Sequence, residues 1–212
     1  MGAVEPLRSE PANEAGTGVH SQIIFASNTG VCVEDSYPEG SLLLNVGSGD
    51  IKWPGWVSVD SHVGGWIDKE SKPDVLCDIK SLPYADNTVD AIAAVHVFEH
   101  FYYWEIKGVL AEWKRVLKPG GKLILELPCM DKVFKYISMM LERKLPLSPT
   151  FSVYPIWGDP KYKDTAMLHK WGYFYASLKV ELVKAGFTGV VLETPRYHFP
   201  NRDMRVVSTK PI

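Results

Sequence analysis

Cysteine is scarce in this chain of 212 residues. The three present, Cys32, Cys77 and Cys129, lie far apart, and no C-x-x-C pair occurs. Neither a disulfide framework nor a cysteine zinc site is expected from so few thiols. A reducing compartment suits them, so a cytoplasmic protein is expected. Long apolar runs are missing too: none reaches the roughly 18 residues of a membrane helix. The first twenty residues, MGAVEPLRSEPANEAGTGVH, lack the apolar stretch of a secretory signal. Gly2 is there, but Pro6 stands where a myristoylation signal wants Ser or Thr. No membrane association is therefore expected. Nor is there an excess of one charge. Lys and Arg number 23 against 25 Asp and Glu, a net charge of -2. No global field gathers nucleic acid, and no nucleic-acid partner is expected. No internal repeat is visible, and nothing in the pattern decides an oligomeric state.

What is present is an ordinary globular balance, 46% hydrophobic and 23% charged, in a length suited to one domain. A disordered tail is expected over 1–20 and a single domain over 21–212. Residues 22–33 read equally as strand or short helix. From Ser41 the pattern sharpens. SLLLNV (41–46) is a short apolar run ending at a glycine loop, as a buried parallel strand does. WVSVD (56–60), DVLC (74–77), VDAIAAV (89–95) and KLILEL (122–127) read as further strands, with two closing ones over 189–193 and 204–209.

Between them run helical patterns. Ile106, Val109, Leu110, Trp113, Val116 and Leu117 share one face of a helix expected over 101–117, stopped by Pro119-Gly120-Gly121. Asp131 is expected to cap a helix over 132–144, with Val133, Phe134, Ile137 and Leu141 on its buried face. Ser177 is expected to cap a helix ending at Gly186. Residues 145–175, rich in proline and aromatics, show no period and read as a lid on the acceptor side. Alternating strands and helices argue for a mostly parallel α/β sheet with one antiparallel member. Ligands of such sheets sit at the carboxyl ends of the strands.

Those ends carry the chemistry. Asn45-Val46-Gly47-Ser48-Gly49-Asp50 follows the first strand, and its glycines let backbone approach a ligand closely. Asp60 ends the second strand, where a carboxylate can accept from both ribose hydroxyls. Asp78 follows the third and can accept from an exocyclic amine. Each aspartate alone reads as a solvated cap; three consecutive strand ends read as a site. Only ten residues, Gly47 to Trp56, separate the first two strands. That is short for a crossover helix, so a loop or single turn is expected. The third glycine of a dinucleotide fingerprint is missing, which leaves no glycine-rich helix terminus for a pyrophosphate. A nucleoside ligand without phosphate fits better than NAD.

LLLNVGSGD, WVSVD, DVLCDIKSLPYADNTVDAIAAVHVFEHF, LKPGGKLILELP and DTAMLHKWGYFYASLKVELVKAGF together resemble the successive motifs of class I S-adenosylmethionine-dependent methyltransferases, most closely the small type 11 group. The resemblance spans about residues 40–210. It implies a Rossmann-like, seven-stranded, mostly parallel sheet with one antiparallel strand, helices on both faces and a reduced helix after the first strand. It further implies S-adenosylmethionine as cofactor, with Asn45, Gly47, Ser48 and Gly49 near its methionine part. Asp60 would hold the ribose, Asp78 and Ile79 the adenine, and His96 the amino-acid end. Asn45 departs from the family's usual acid, and Ile51 from its third glycine.

His96-Val97-Phe98-Glu99-His100 also matches H-x-x-E-H, a zinc-protease signature. That reading needs one helix carrying both histidines, whereas a buried strand precedes His96. No metal is expected. Glu99 and His100 are expected to border the acceptor, with His169 as base; the alternative is that the aromatic segment around His169 only packs the sheet. His198, Asn201, Arg202 and Asp203 read as a solvated turn. The expected activity is methyl transfer to a small or sugar-like acceptor. A non-catalytic adenosyl-binding module and an NAD-dependent oxidoreductase are the competing readings.

Overall fold

A computed structural model describes residues 37–63 and 70–212. The tail expected over 1–20, the undecided segment 22–33 and Cys32 lie outside the described residues. Seven strands form one sheet: β1 Leu43–Val46, β2 Val57–Asp60, β3 Val75–Leu76, β4 Val89–Val95, β5 Leu117–Pro128, β6 Thr188–Glu193 and β7 Asp203–Thr209. Their spatial order is β3-β2-β1-β4-β5-β7-β6. All run parallel except β7, which is antiparallel to both β5 and β6. The order reverses at β1, whose neighbours are β2 and β4, so the crevice at their carboxyl ends is the place for a ligand. β1 and β4 are apolar because they are covered on both faces.

The helices are α1 Ile106–Val116, α2 Met130–Glu142, α3 Tyr154–Trp157 and α4 Tyr175–Lys184. One face of the sheet, with Leu44, Ile92, Leu123, Leu125 and Val206, packs against Ile106, Leu110 and Trp113 of α1 and Leu178 and Leu182 of α4. Trp113 is fully buried, and its indole N–H donates to the Ile79 carbonyl at 2.8 Å, so a large apolar side chain is buried without an orphaned donor. The opposite face is closed differently. Ala93 and Ile124 pack under Trp53, flanked by Ile51, Trp56, Tyr197 and Val207. Trp53 stacks on Tyr197 at 4.6 Å and meets Trp56 edge-on at 5.5 Å. Helices were expected on both faces; among the described residues this face is covered by loop aromatics. The short β1–β2 connection accommodates no helix, and its tryptophans supply the apolar cover instead.

Local details refine other expectations. α1 begins at Ile106, the first residue of its apolar pattern and five residues after the expected start at 101; just before it the Glu105 carboxylate folds back to accept from the Tyr102 amide at 2.9 Å. Asp131 does not cap α2, which starts after Cys129; its carboxylate accepts from the Tyr175 amide at 3.0 Å and so serves the start of α4. Ser177 does not cap α4 either; its hydroxyl donates to the Phe174 carbonyl. Of the face expected to bury on α2, Val133 is buried but Phe134 and Leu141 are exposed. α2 lies beyond the end of β5 against residues 149–157, not on the sheet. No helix among the described residues is long and apolar enough to cross a membrane.

Candidate active site at the carboxyl edge of the sheet

Along the edge formed by β3, β2, β1 and β4, four strand ends present functional groups in spatial order: Asp78, Asp60, the Gly47–Gly49 loop and His96. Three strand spacings amount to roughly 14 Å, so the row is long enough to meet an elongated ligand. Gly47 has φ +66°, and a Cβ there would lie 2.4 Å from a Val97 methyl carbon, so only glycine lets the loop pass this close to the chain after β4. Gly49, at φ +54°, donates its amide to Asp60 Oδ2 at 2.8 Å, and the His62 amide donates to Oδ1 at 3.1 Å. An ionised carboxylate has about four acceptor positions, so Asp60 is oriented by the two amides with two positions left. Asn45 is buried and donates its side-chain amide to the Ile51 carbonyl at 3.3 Å, pinning the loop from within. Ser48 is buried beside it, whereas Asp78 is exposed and accepts from the Lys80 amide.

The carboxyl end of β4 carries a second cluster. His96 adopts φ +53° and donates its backbone amide to the Glu126 carbonyl. A left-handed non-glycine residue is uncommon, and here it breaks the strand and turns the ring toward acids. His96 Nδ1 is 3.0 Å from Glu99 Oε1, and Nε2 is 3.2 Å from Asp203 Oδ2. Arg202 grips the same Asp203 in bidentate fashion, at 2.6 and 2.7 Å. Burial alone would lower the His96 pKa, but Glu99 and Asp203 outweigh it and raise it to about 9. Burial would raise Glu99, yet the His96 imidazolium holds it down to about 2. Asp203 is likewise held below the usual carboxylate range, against its burial, by His96 and Arg202. The result is an alternating chain: Arg202 cation, Asp203 anion, His96 cation, Glu99 anion. The His198 ring lies tilted against His96 at 4.0 Å; burial and the His96 charge push its pKa down to about 3, so it stays neutral.

Glu99 is the hinge to the rest. It lies in a 3-10 turn at Phe98–His100, and its backbone carbonyl accepts from the Lys170 and Trp171 amides, which draws the 145–175 segment over the site. His169 Nε2 thereby comes to 3.9 Å from Glu99 Oε1, and the His169 ring meets His100 edge-on at 4.9 Å. The structure thus brings together Glu99, His100 and His169, all expected to serve the acceptor, across a gap of 70 residues in sequence. It does not make 198–203 a solvated turn. Arg202 and Asp203 are buried, because Asp203 is the counter-charge of His96. The Glu126 carboxylate also escaped the sequence reading. It accepts from the amides of Arg196, Tyr197 and His198 at 2.8 to 3.0 Å and fixes the β6–β7 connection. The available signal was a charged residue inside each of two apolar strands, KLILEL and MRVV.

Residues 65–125 match the family model described as "Methyltransferase domain". A structure of an S-adenosylmethionine-dependent methyltransferase from Methanosarcina mazei superposes with a TM-score of 0.54 at 14% identity, covering 85% of this chain and 97% of that one. Part of the chain thus matches a methyltransferase family, and the fold as a whole is that of S-adenosylmethionine-dependent methyltransferases. Among curated relatives, the mouse tRNA (carboxymethyluridine(34)-5-O)-methyltransferase is 26% identical over 108 residues, covering 46% of this chain and 16% of the relative. A ubiquinone/menaquinone biosynthesis C-methyltransferase of Burkholderia multivorans is 30% identical over 93 residues, covering 43% and 34%. The chain spans about a third or less of the length of these relatives.

The methyltransferase domain's cofactor is S-adenosylmethionine, and the edge residues fit it. Gly47 holds the loop tightly against Val97, and Asp60 keeps acceptor capacity beside that loop. Asp78, expected at the adenine, stands one strand further out. His96, expected at the amino-acid end, has both ring nitrogens already facing acids.

Proposed function

We propose that this chain methylates a small or sugar-like acceptor, delivered to the Glu99–His100–His169 cluster at the carboxyl end of β4. One observation carries the reading: three groups able to receive an acceptor and its proton converge at the inner end of the cofactor slot. The cofactor supplies an electrophilic methyl on a sulfonium, and the chain supplies alignment and proton management. His169 Nδ1 donates to the Pro155 carbonyl at 2.9 Å. A carbonyl only accepts, so in the neutral ring the proton is on Nδ1 and Nε2 holds a lone pair. Nε2 takes the proton of an acceptor hydroxyl, and Glu99 at 3.9 Å stabilises the imidazolium that results. The buried acids and the slight net negative charge favour a neutral or cationic small molecule over a polyanion.

The test is product formation. Purified protein is incubated with S-adenosylmethionine and a fractionated metabolite extract, and S-adenosylhomocysteine is measured by mass spectrometry. His169→Ala is expected to lower turnover by roughly 10²–10⁴ and to leave S-adenosylhomocysteine affinity unchanged. Cofactor binding without product in any fraction would favour a non-catalytic binding module.

A further inference from the structure

We propose that Glu99, His100 and His169 form a binding site for one divalent first-row transition-metal ion, of the zinc type. The donor atoms, one from each residue, all lie within 4.8 Å of one another. Two imidazoles and a carboxylate are the donor set that binds such ions while leaving coordination positions open.

The ring orientations argue for it independently. His100 Nδ1 is 3.1 Å from the Leu168 carbonyl, and His169 Nδ1 is 2.9 Å from the Pro155 carbonyl. Both carbonyls accept a proton and offer none, so both neutral rings carry hydrogen on Nδ1 and present an unprotonated Nε2. A backbone carbonyl on the second ring nitrogen is the usual way a protein aims a metal-binding histidine. Glu99 is 2% exposed, and neither of its carboxylate oxygens receives a hydrogen bond of normal geometry. Two lone pairs and a buried carboxylate thus face one another, a donor set that one cation between them would join beside the His96 contact. The His96 contact at 3.0 Å orients the carboxylate from the other side. A tetrahedral ion with ligands about 2.1 Å away needs donors roughly 3.4 Å apart, so binding draws the three residues in by about an ångström. His100 and His169 are only partly buried, which leaves an approach from solvent.

The H-x-x-E-H stretch then does take part in metal binding, in an unexpected way. His96 instead meets Glu99 and Asp203, and His169 from the covering segment takes the second histidine's place. The inference deepens the proposed acceptor site and rests on that reading only for its use. An acceptor oxygen on an open position would become more acidic, its proton passing to solvent water instead of to His169 Nε2.

The test is metal binding by the whole chain after dialysis against a chelator. Zn²⁺ is titrated by calorimetry, and Co²⁺ is followed by the visible bands of a low-coordinate ion. One equivalent is expected to bind at micromolar or better affinity, and Glu99→Gln and His169→Ala are each expected to weaken it at least tenfold. His169 is partly exposed, so its replacement is the variant least able to disturb folding; circular dichroism checks each protein. Absence of saturable binding by the wild type, or variants that bind as the wild type does, would overturn the proposal. S-adenosylhomocysteine is titrated into the same metal-free preparations. Its failure to bind would count against the cofactor reading and leave the metal result standing on its own.

Discussion

His198 shows how much one buried ring decides. Its pKa is about 3 in the folded protein, from burial and the neighbouring His96 charge, against 6.5 for a free histidine. A depressed folded value means the unfolded chain binds the proton first. The stability this group contributes is therefore present above pH 6.5 and lost as pH falls through that window toward about 3, by at most about 1.4 kcal/mol per pH unit. His198→Phe keeps the ring packing and removes the titration. Its urea unfolding energy is expected to fall less steeply than the wild type's between pH 6.5 and 4.5; equal slopes would contradict the assignment. Gly47 makes a second residue-scale claim. Gly47→Ala forces a non-glycine residue into φ +66° and against Val97, a cost of about 1–3 kcal/mol. Calorimetry with S-adenosylhomocysteine should show weakened binding, with the loop displaced from the cofactor.

At the scale of elements, strands were more legible than caps. VDAIAAV became β4 over the residues expected, since a buried run between turn signals has few other ways to satisfy its backbone. The caps failed because Asp131 had two helix starts within reach, and only the fold brings Tyr175 to it. Periodicity likewise described α2 correctly as amphipathic but placed Phe134 and Leu141 inside; pattern gives a face, not what that face meets. The β1–β2 connection gave the opposite lesson. Its shortness correctly excluded a full helix, and the tryptophans that spoil the glycine fingerprint turn out to cover the sheet. Trp53→Ala should therefore cost about 3–5 kcal/mol in chemical denaturation, as a core residue does. A loss under about 1 kcal/mol would mean that this face is not closed by loop aromatics.

For the whole molecule, the shared edge of the residues expected to hold the cofactor was readable, and the cluster expected to serve the acceptor was read in pieces. Asp78, Asp60 and Gly47–Gly49 each follow a recognisable strand, so their shared edge follows from chain order and the parallel sheet alone. Glu99 with His169, and His96 with Asp203, are joined only by tertiary closure: 145–175 drapes over β4, and antiparallel β7 delivers Asp203 beside it. No local pattern encodes either pairing. On the proposed reading the molecule divides its labour along one edge, cofactor on β3–β2–β1 and acceptor chemistry at β4. Isothermal titration of S-adenosylhomocysteine into wild type, Asp60→Ala and His169→Ala tests that division most directly. The account predicts that Asp60→Ala loses about 1–3 kcal/mol of binding energy while His169→Ala binds like the wild type. Unchanged affinity in Asp60→Ala would contradict it.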